Sequence, residues 1–307
     1  MKKSTNPLMH LLVLLALSLV MLLITTPLSV LLASPSSLVG VYAAQVVMQL
    51  CCLLLPTLVV VRRYYRSDRV GFMRLNVNSR SWLRAAAGVV ILALLVPVVD
   101  SLELLNRQLE FPASMAALEQ SLRDTQAATQ ALSDRMLGGG DVGRLLLNLL
   151  VMALLPAVCE EFFFRVGIQN LIQHWCRSHG MGRGRIRWDA HLAVWVTAVI
   201  FSLAHGEVFS FLPRLVLGAM LGYLFVYSNS LLVNTMVHFL NNAFIVVGQW
   251  LVSRGVWSYD FDNPTGYPWL TCVTFALAAV VVLDLLFIHP PQRWRDADAD
   301  LADRCDG

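Results

Sequence analysis

Two adjacent glutamates, Glu160 and Glu161, and an arginine, Arg165, interrupt a mostly apolar run from Leu145 to Trp175. In hydrocarbon a central charge costs roughly 2.5–3.5 kcal/mol on insertion scales, so such residues face a bundle interior or a wet cavity. Two further apolar runs carry polar groups. One is Phe201-Ser202-Leu203-Ala204-His205. The other is His238-Phe239-Leu240-Asn241-Asn242, with Asn234 one turn earlier. Helical spacing sorts these residues. Glu161 and Arg165 are four apart, share a face and can pair. Glu160 is turned about 100° from its neighbour and points elsewhere. His238 and Asn242 share a face in the same way, and Asn241 reads as packing or support beside Asn242. Brought together, three helices would supply a carboxylate, two imidazoles and a carboxamide. That set suits peptide hydrolysis. Glu160 acts as general base on water attacking a carbonyl, and His238 and Asn242 donate hydrogen bonds to the oxyanion that develops. A second option stays open. Glu160, His205 and His238 form a His2Glu set that could hold a divalent metal such as zinc, with water in the fourth position.

The elements that must position these residues are membrane helices. Of 307 residues, 57% are hydrophobic and 14% are charged, where a soluble domain carries about 25% charge. The net charge of +3 comes with no basic stripe, so no nucleic-acid partner is expected. Six scattered cysteines show no CxxC pair and no metal spacing. The fold expected is all-α, a polytopic membrane bundle of about eight transmembrane helices with an outer amphipathic helix.

The first apolar run, Leu8 to Ala33, is nearer 25 residues than the 7–15 of a signal-peptide core, and so reads as a retained span. Spans two and three cover 38–61 and 82–99. Residues 1–99 thus form an N-terminal unit of three helices with a basic loop holding Arg62, Arg63, Arg66, Arg69, Arg74, Arg80 and Arg84. Residues 100–141 are polar. Met115, Leu118, Leu122, Leu132 and Met136 make one helical stripe there, which predicts an amphipathic connector on the membrane surface or over the mouth of the bundle. Gly138-Gly139-Gly140 ends it, and Asp141 is placed to cap the next helix. Residues 142–288 would hold five spans, at 142–175, 191–205, 212–227, 231–252 and 269–288, and residues 289–307 a charged tail. The fifth and sixth spans, at about 15 residues, are short for a ~30 Å hydrocarbon core. Counted along the spans, His205 lies toward the outer side and His238 toward the inner, so their meeting requires tilted helices or a sunken loop. With eight spans, Lys2, Lys3 and the arginines of 62–84 and 176–187 fall on one side. Basic loops lie in the cytoplasm, so both termini are expected there.

The ordered motifs Glu-Glu-x-x-x-Arg (Glu160, Glu161, Arg165), Phe-x-x-x-His (Phe201, His205) and His-x-x-x-Asn (His238, Asn242) resemble the CAAX-protease and bacteriocin-processing family of intramembrane proteases, over about residues 142–250. The resemblance implies an endopeptidase acting on membrane-associated peptides or proteins, with Glu160 as catalytic base and His205 as its partner in activating water. It makes His238 and Asn242 the oxyanion donors and Glu161 and Arg165 a supporting pair. It leaves a metal open and extends to bacteriocin self-immunity. The location implied is a bacterial cytoplasmic membrane. Two readings from other classes compete: a proton-coupled transporter using the same buried groups as a relay, and a non-catalytic immunity or scaffold protein. No internal duplication of the transporter kind is visible.

Overall fold

The computed structural model describes residues 6–32, 37–77, 80–138, 141–182, 187–259 and 264–288. Ten helices organise them: α1 (Pro7–Leu32), α2 (Leu38–Tyr64), the short α3 (Arg69–Met73), α4 (Ser81–Arg107), α5 (Ala116–Leu137), α6 (Val142–Ser178), α7 (Trp188–Ala204), α8 (Phe211–Ser228), α9 (Leu231–Ser253) and α10 (Trp269–Phe287). Among the described residues, seven helices are long and apolar enough to cross a membrane, and α7 is a shorter apolar helix beside them. The chain is a polytopic helical bundle. Lys2, Lys3, Gly139, Gly140, Arg183, Arg185, Cys305 and the tail 289–307 lie outside the described residues.

The helix ends follow local chemistry. Asp141 accepts from the Arg144 N–H at 2.9 Å and starts α6. Ser37 caps α2 and Ser230 caps α9 through their hydroxyls. Asn229 ends α8 in the left-handed region, at φ 50°. Two long helices are widened just before a proline. In α2 the turns at Gln49–Leu54 are π-type and Pro56 follows; in α6 the turns at Leu149–Leu154 are π-type and Pro156 follows. Proline has no N–H and crowds the carbonyl four residues back. A run of i→i+5 bonds absorbs that misfit. The regular turn after the widened stretch of α6, Leu155–Glu160, packs on the widened stretch of α2, Gln49–Leu54.

Two of the apolar clusters among the described residues join the most helices. Leu14, Val60, Phe163, Phe164 and Ile168 join α1, α2 and α6. Ile91, Leu95, Leu224 and Val237 join α4, α8 and α9. Small residues set the closest approaches, as expected where lipid removes the usual hydrophobic drive between helices. A Cβ on Gly88 would come within 2.6 Å of Val237, so α4 and α9 meet there only because the residue is glycine. Leu23, Val30, Leu31, Leu150, Leu277 and Val280 remain on the outer surface, as lipid-facing positions should.

At the end where α6 meets α7, Arg74 is buried and donates to Asn170 and Gln173 at 2.9 Å each and to the Phe225 carbonyl. Gln173 donates in turn to Asp189, which also accepts from Arg177 at 2.7 Å. Burial and the nearby arginines bring Arg74 down to about 10.

Span three differs from its expected bounds. α4 continues past Val99 to Arg107, because polar residues alone do not end a helix and Glu103 pairs with Arg107 one turn on, at 2.8 Å. The amphipathic connector is therefore α5 alone. Gln126, Gln130 and Ser133 on its polar side line the central cavity, whereas Met115, Leu118 and Leu132 of its apolar stripe stay exposed. α5 thus forms part of the wall of this cavity. Arg123 lies over the Phe209 ring at 4.0 Å, and Gln126 donates to Ser210. At the far end Asn148 donates to the Met136 carbonyl and accepts from the Tyr42 hydroxyl.

The start of α5 is pinned by Glu119, which accepts from the Phe111 N–H and from Arg123 at 2.8 Å each. These bonds hold its carboxyl below the usual carboxylate range. A lowered folded-state value means the fastening is complete above about pH 4.3, the ordinary glutamate value, and is lost as pH falls through the lowered one. The protection factor of the Phe111 amide in hydrogen exchange, referred to the intrinsic rate at each pH, should therefore be high at neutral pH and fall on acidification. In Glu119→Gln the protection factor should be low at both.

Candidate active site

The motif residues meet across three helices. Glu160 from α6, His205 at the end of α7, and His238 and Asn242 from α9 all line one cavity of about 590 Å³. α4 and α5 supply much of the opposite wall, through Asp100, Glu103, Gln126 and Gln130. Glu161 and Arg165 do not line it; both side chains are 0% exposed.

His205 and His238 line the same cavity despite the different depths that counting suggests, and the length of α6 brings Glu160 to the level of His205. At 37 residues, or about 55 Å at 1.5 Å per residue, it runs well beyond a ~30 Å core. The Arg177–Asp189 ion pair ties its far end to the start of α7. From that pair, Glu160 lies about 17 residues back and His205 about 16 forward, each about 25 Å along an antiparallel helix. They therefore arrive at one level. Gly206, at φ +71°, turns the chain directly after His205.

Glu161 is the hub beneath the cavity. Its Oε2 accepts from Arg165 Nε at 3.0 Å and from the Asn234 amide. Its Oε1 stands 2.9 Å from His238 Nδ1. Arg165 reaches on to Gln169, whose amide donates to the Gly222 carbonyl at 2.9 Å. The Arg165 guanidinium also faces the Phe201 ring at 5.6 Å. Glu161 and Arg165 pair as spacing predicts, and the structure adds His238 and Asn234 to that pair.

Glu160 points the other way. Its Oε1 accepts from the Gln49 amide of α2 at 3.3 Å, and its Oε2 is 3.8 Å from His238 Nε2, within range for charge attraction but beyond a hydrogen bond. His238 thus stands between the two glutamates, one ring nitrogen toward each. His205 Nδ1 bonds the Phe201 carbonyl at 2.7 Å. An imidazole that donates from Nδ1 keeps a lone pair on Nε2. Asn241 donates to Asn242 Oδ1 at 3.3 Å, leaving the Asn242 amide N–H groups for other acceptors. Phe201 contacts both histidine rings, at centroid distances of 4.7 and 6.3 Å.

Glu160, His205 and His238 share this cavity, yet among the described residues no three His, Cys, Asp or Glu side chains gather as a metal-holding group. Cys159, beside Glu160, is buried away from the cavity as a free thiol. Glu207 does line the cavity and pairs with Arg214.

Sequence reasoning gave no role to Asn234 or Gln49. Each is polar within an apolar run, and Asn234 lies one turn before His238, a spacing that marks a shared face. Gln49 has no such cue, because its partner is more than a hundred positions away.

The buried hub and the cavity carboxylate should respond differently to mutation. Glu161→Ala strips Arg165, Asn234 and His238 of their shared acceptor and should destabilise the protein by about 3–5 kcal/mol, as for other broken buried pairs. Glu160→Ala should leave the unfolding midpoint nearly unchanged. Thermal unfolding of the two variants in detergent checks the contrast. Equal midpoints would remove the hub role.

Residues 142–244 match a family described as type II CAAX prenyl endopeptidase, Rce1-like. The matched stretch begins with α6 and ends just beyond Asn242, and so contains every motif residue. Neither a curated protein nor a solved structure matches the chain. The three ordered motifs all lie inside this matched third of the chain, and it is through residues 142–244 that the chain is similar to the CAAX prenyl endopeptidases.

Proposed function

We propose that this protein is an intramembrane endopeptidase that hydrolyses peptide bonds of membrane-associated proteins or peptides with water activated by Glu160. The observation that carries the reading is the division of the two glutamates. Glu161 is consumed by three buried partners, whereas Glu160, His205, His238 and Asn242 face one cavity.

Each group has a chemical task. Glu160 takes a proton from water, and His205 Nε2 accepts the water's other hydrogen and orients it. The water oxygen bonds to the carbonyl carbon, and the carbonyl oxygen becomes an oxyanion. The Asn242 amide donates to that oxygen. So does His238 from Nε2, once both its nitrogens carry protons. Glu161 at 2.9 Å and Glu160 at 3.8 Å balance the charge of such an imidazolium. Fixed donors aimed at developing charge are worth about 2.7–4 kcal/mol each in comparable sites. Collapse of the intermediate breaks the C–N bond, and the proton held by Glu160 passes to the leaving nitrogen. No step requires a metal.

Substrates would be the ends of lipidated, secreted or membrane-bound polypeptides that can enter beneath α5. The reading places the protein in a cytoplasmic membrane. Arg62, Arg63 and Arg66 at the end of α2, Arg80 and Arg84 at the start of α4, and Arg177 and Arg187 between α6 and α7 all gather at one end of the bundle, which is the cytoplasmic end by charge bias.

Purified protein in detergent should cleave members of a membrane-peptide library. Glu160→Ala should abolish cleavage, by at least about a thousandfold, while keeping the wild-type unfolding midpoint. Cleavage should persist after chelator treatment and removal of metal. Full activity in Glu160→Ala would end this reading. Loss with chelator and recovery with zinc would end its metal-free form.

A further inference from the structure

The matched family segment begins at residue 142, yet one group touching Glu160 comes from far outside it. Gln49, on α2, donates from Nε2 to Glu160 Oε1 at 3.3 Å. Among the described residues this is nearer than His238 Nε2, at 3.8 Å from the other carboxylate oxygen. Gln49 also lines the cavity. We propose that Gln49 is a positioning residue for the hydrolytic carboxylate: its N–H holds one oxygen of Glu160 and leaves the other toward His238 and the cavity. The proposal rests on the hydrolytic reading above.

Three features support it. A glutamine is an expensive residue for a hydrophobic span, and Gln49 Oε1 is buried with no hydrogen-bond partner among the described residues. Burying an unpaired carboxamide oxygen is unfavourable, so space-filling does not account for the residue. The orientation of the amide follows from its neighbour, because turning it over would set oxygen against a carboxylate oxygen. The backbone also brings it there. Gln49 opens the π-type stretch that precedes Pro56, and this stretch packs on Leu155–Glu160. A widened helix redirects side chains relative to regular spacing.

A carboxylate held on one side by a neutral donor loses rotamer freedom, so removal should act on the chemical step rather than on substrate binding. Gln49→Met keeps length and volume but has no donor. It should lower kcat by about 10- to 100-fold, the range for a hydrogen bond to a charged group, with KM within about twofold and the unfolding midpoint unchanged. Gln49→Glu keeps the shape, removes the donor and adds like charge, so its kcat should fall at least as far. It carries the test if Gln49→Met does not purify folded. Wild-type kcat in both variants overturns the proposal, as does a lowered unfolding midpoint with unchanged kcat per folded molecule. Glu160→Gln is assayed alongside. If it cleaves like wild type, both this proposal and the hydrolytic reading fall. If it is inactive while the Gln49 variants are fully active, only this proposal falls.

Discussion

The buried carboxylate of Glu161 ties the bundle together chemically. It is wholly inaccessible and accepts from α6 itself through Arg165 and from α9 through Asn234 and His238. A bare charge in such a place would be prohibitive. A paired, fully hydrogen-bonded one is tolerable and severe to break. The constraint fixes more than a pair of helices. By bonding Nδ1 of His238, Glu161 sets that ring's rotation and sends Nε2 toward the cavity. By holding Arg165 against Gln169 and Phe201, it draws in α8 through the Gly222 carbonyl and α7 through the aromatic ring.

From that hub the rest of the candidate site follows in layers. Phe201 packs between Arg165 below and both histidines above. The chain after His205 is fastened by α4: Asn106 donates to the Val208 carbonyl at 3.0 Å and accepts from the Leu212 N–H at 2.7 Å. Ser210 joins Glu103 to Gln126 of α5. The N-terminal helices and the amphipathic helix are thus walls of the same cavity, although they carry none of the three motifs. Charged and polar side chains from several helices meet in this cavity, with the helical backbone around it internally hydrogen-bonded as a lipid surrounding requires.

Much of this was legible in the chain, and the gaps have physical causes. Span positions were readable because an apolar run long enough to cross lipid has few alternatives. The pairing of Glu161 with Arg165 was readable because helix geometry makes four-apart residues neighbours whatever surrounds them. The end of α4 was misjudged at Val99, since polarity marks where a helix leaves hydrocarbon, not where it stops. The widened turns before Pro56 and Pro156 were not foreseen. Proline announces a disturbance but not how the backbone absorbs it. Counting along the spans set His205 and His238 at different depths, yet both line one cavity, because depth depends on how the helices pack and not on position along a span.

The sequence by itself determined the helical membrane class, the order of the spans and the set of residues with chemistry to offer. Those properties are local, written in hydropathy, period and residue type. Only the tertiary structure decided which partner each group would meet. That Glu161 is shared by three donors, that His238 stands between two glutamates, and that Gln49 reaches Glu160 all depend on helix rotation and depth. Rotation and depth are set by packing between helices distant in sequence, through contacts such as Gly88 on Val237 and Arg177 on Asp189. The opening pair of glutamates shows the division most clearly. Their adjacency placed them about 100° apart, and the neighbouring helices then made one of them core and the other cavity.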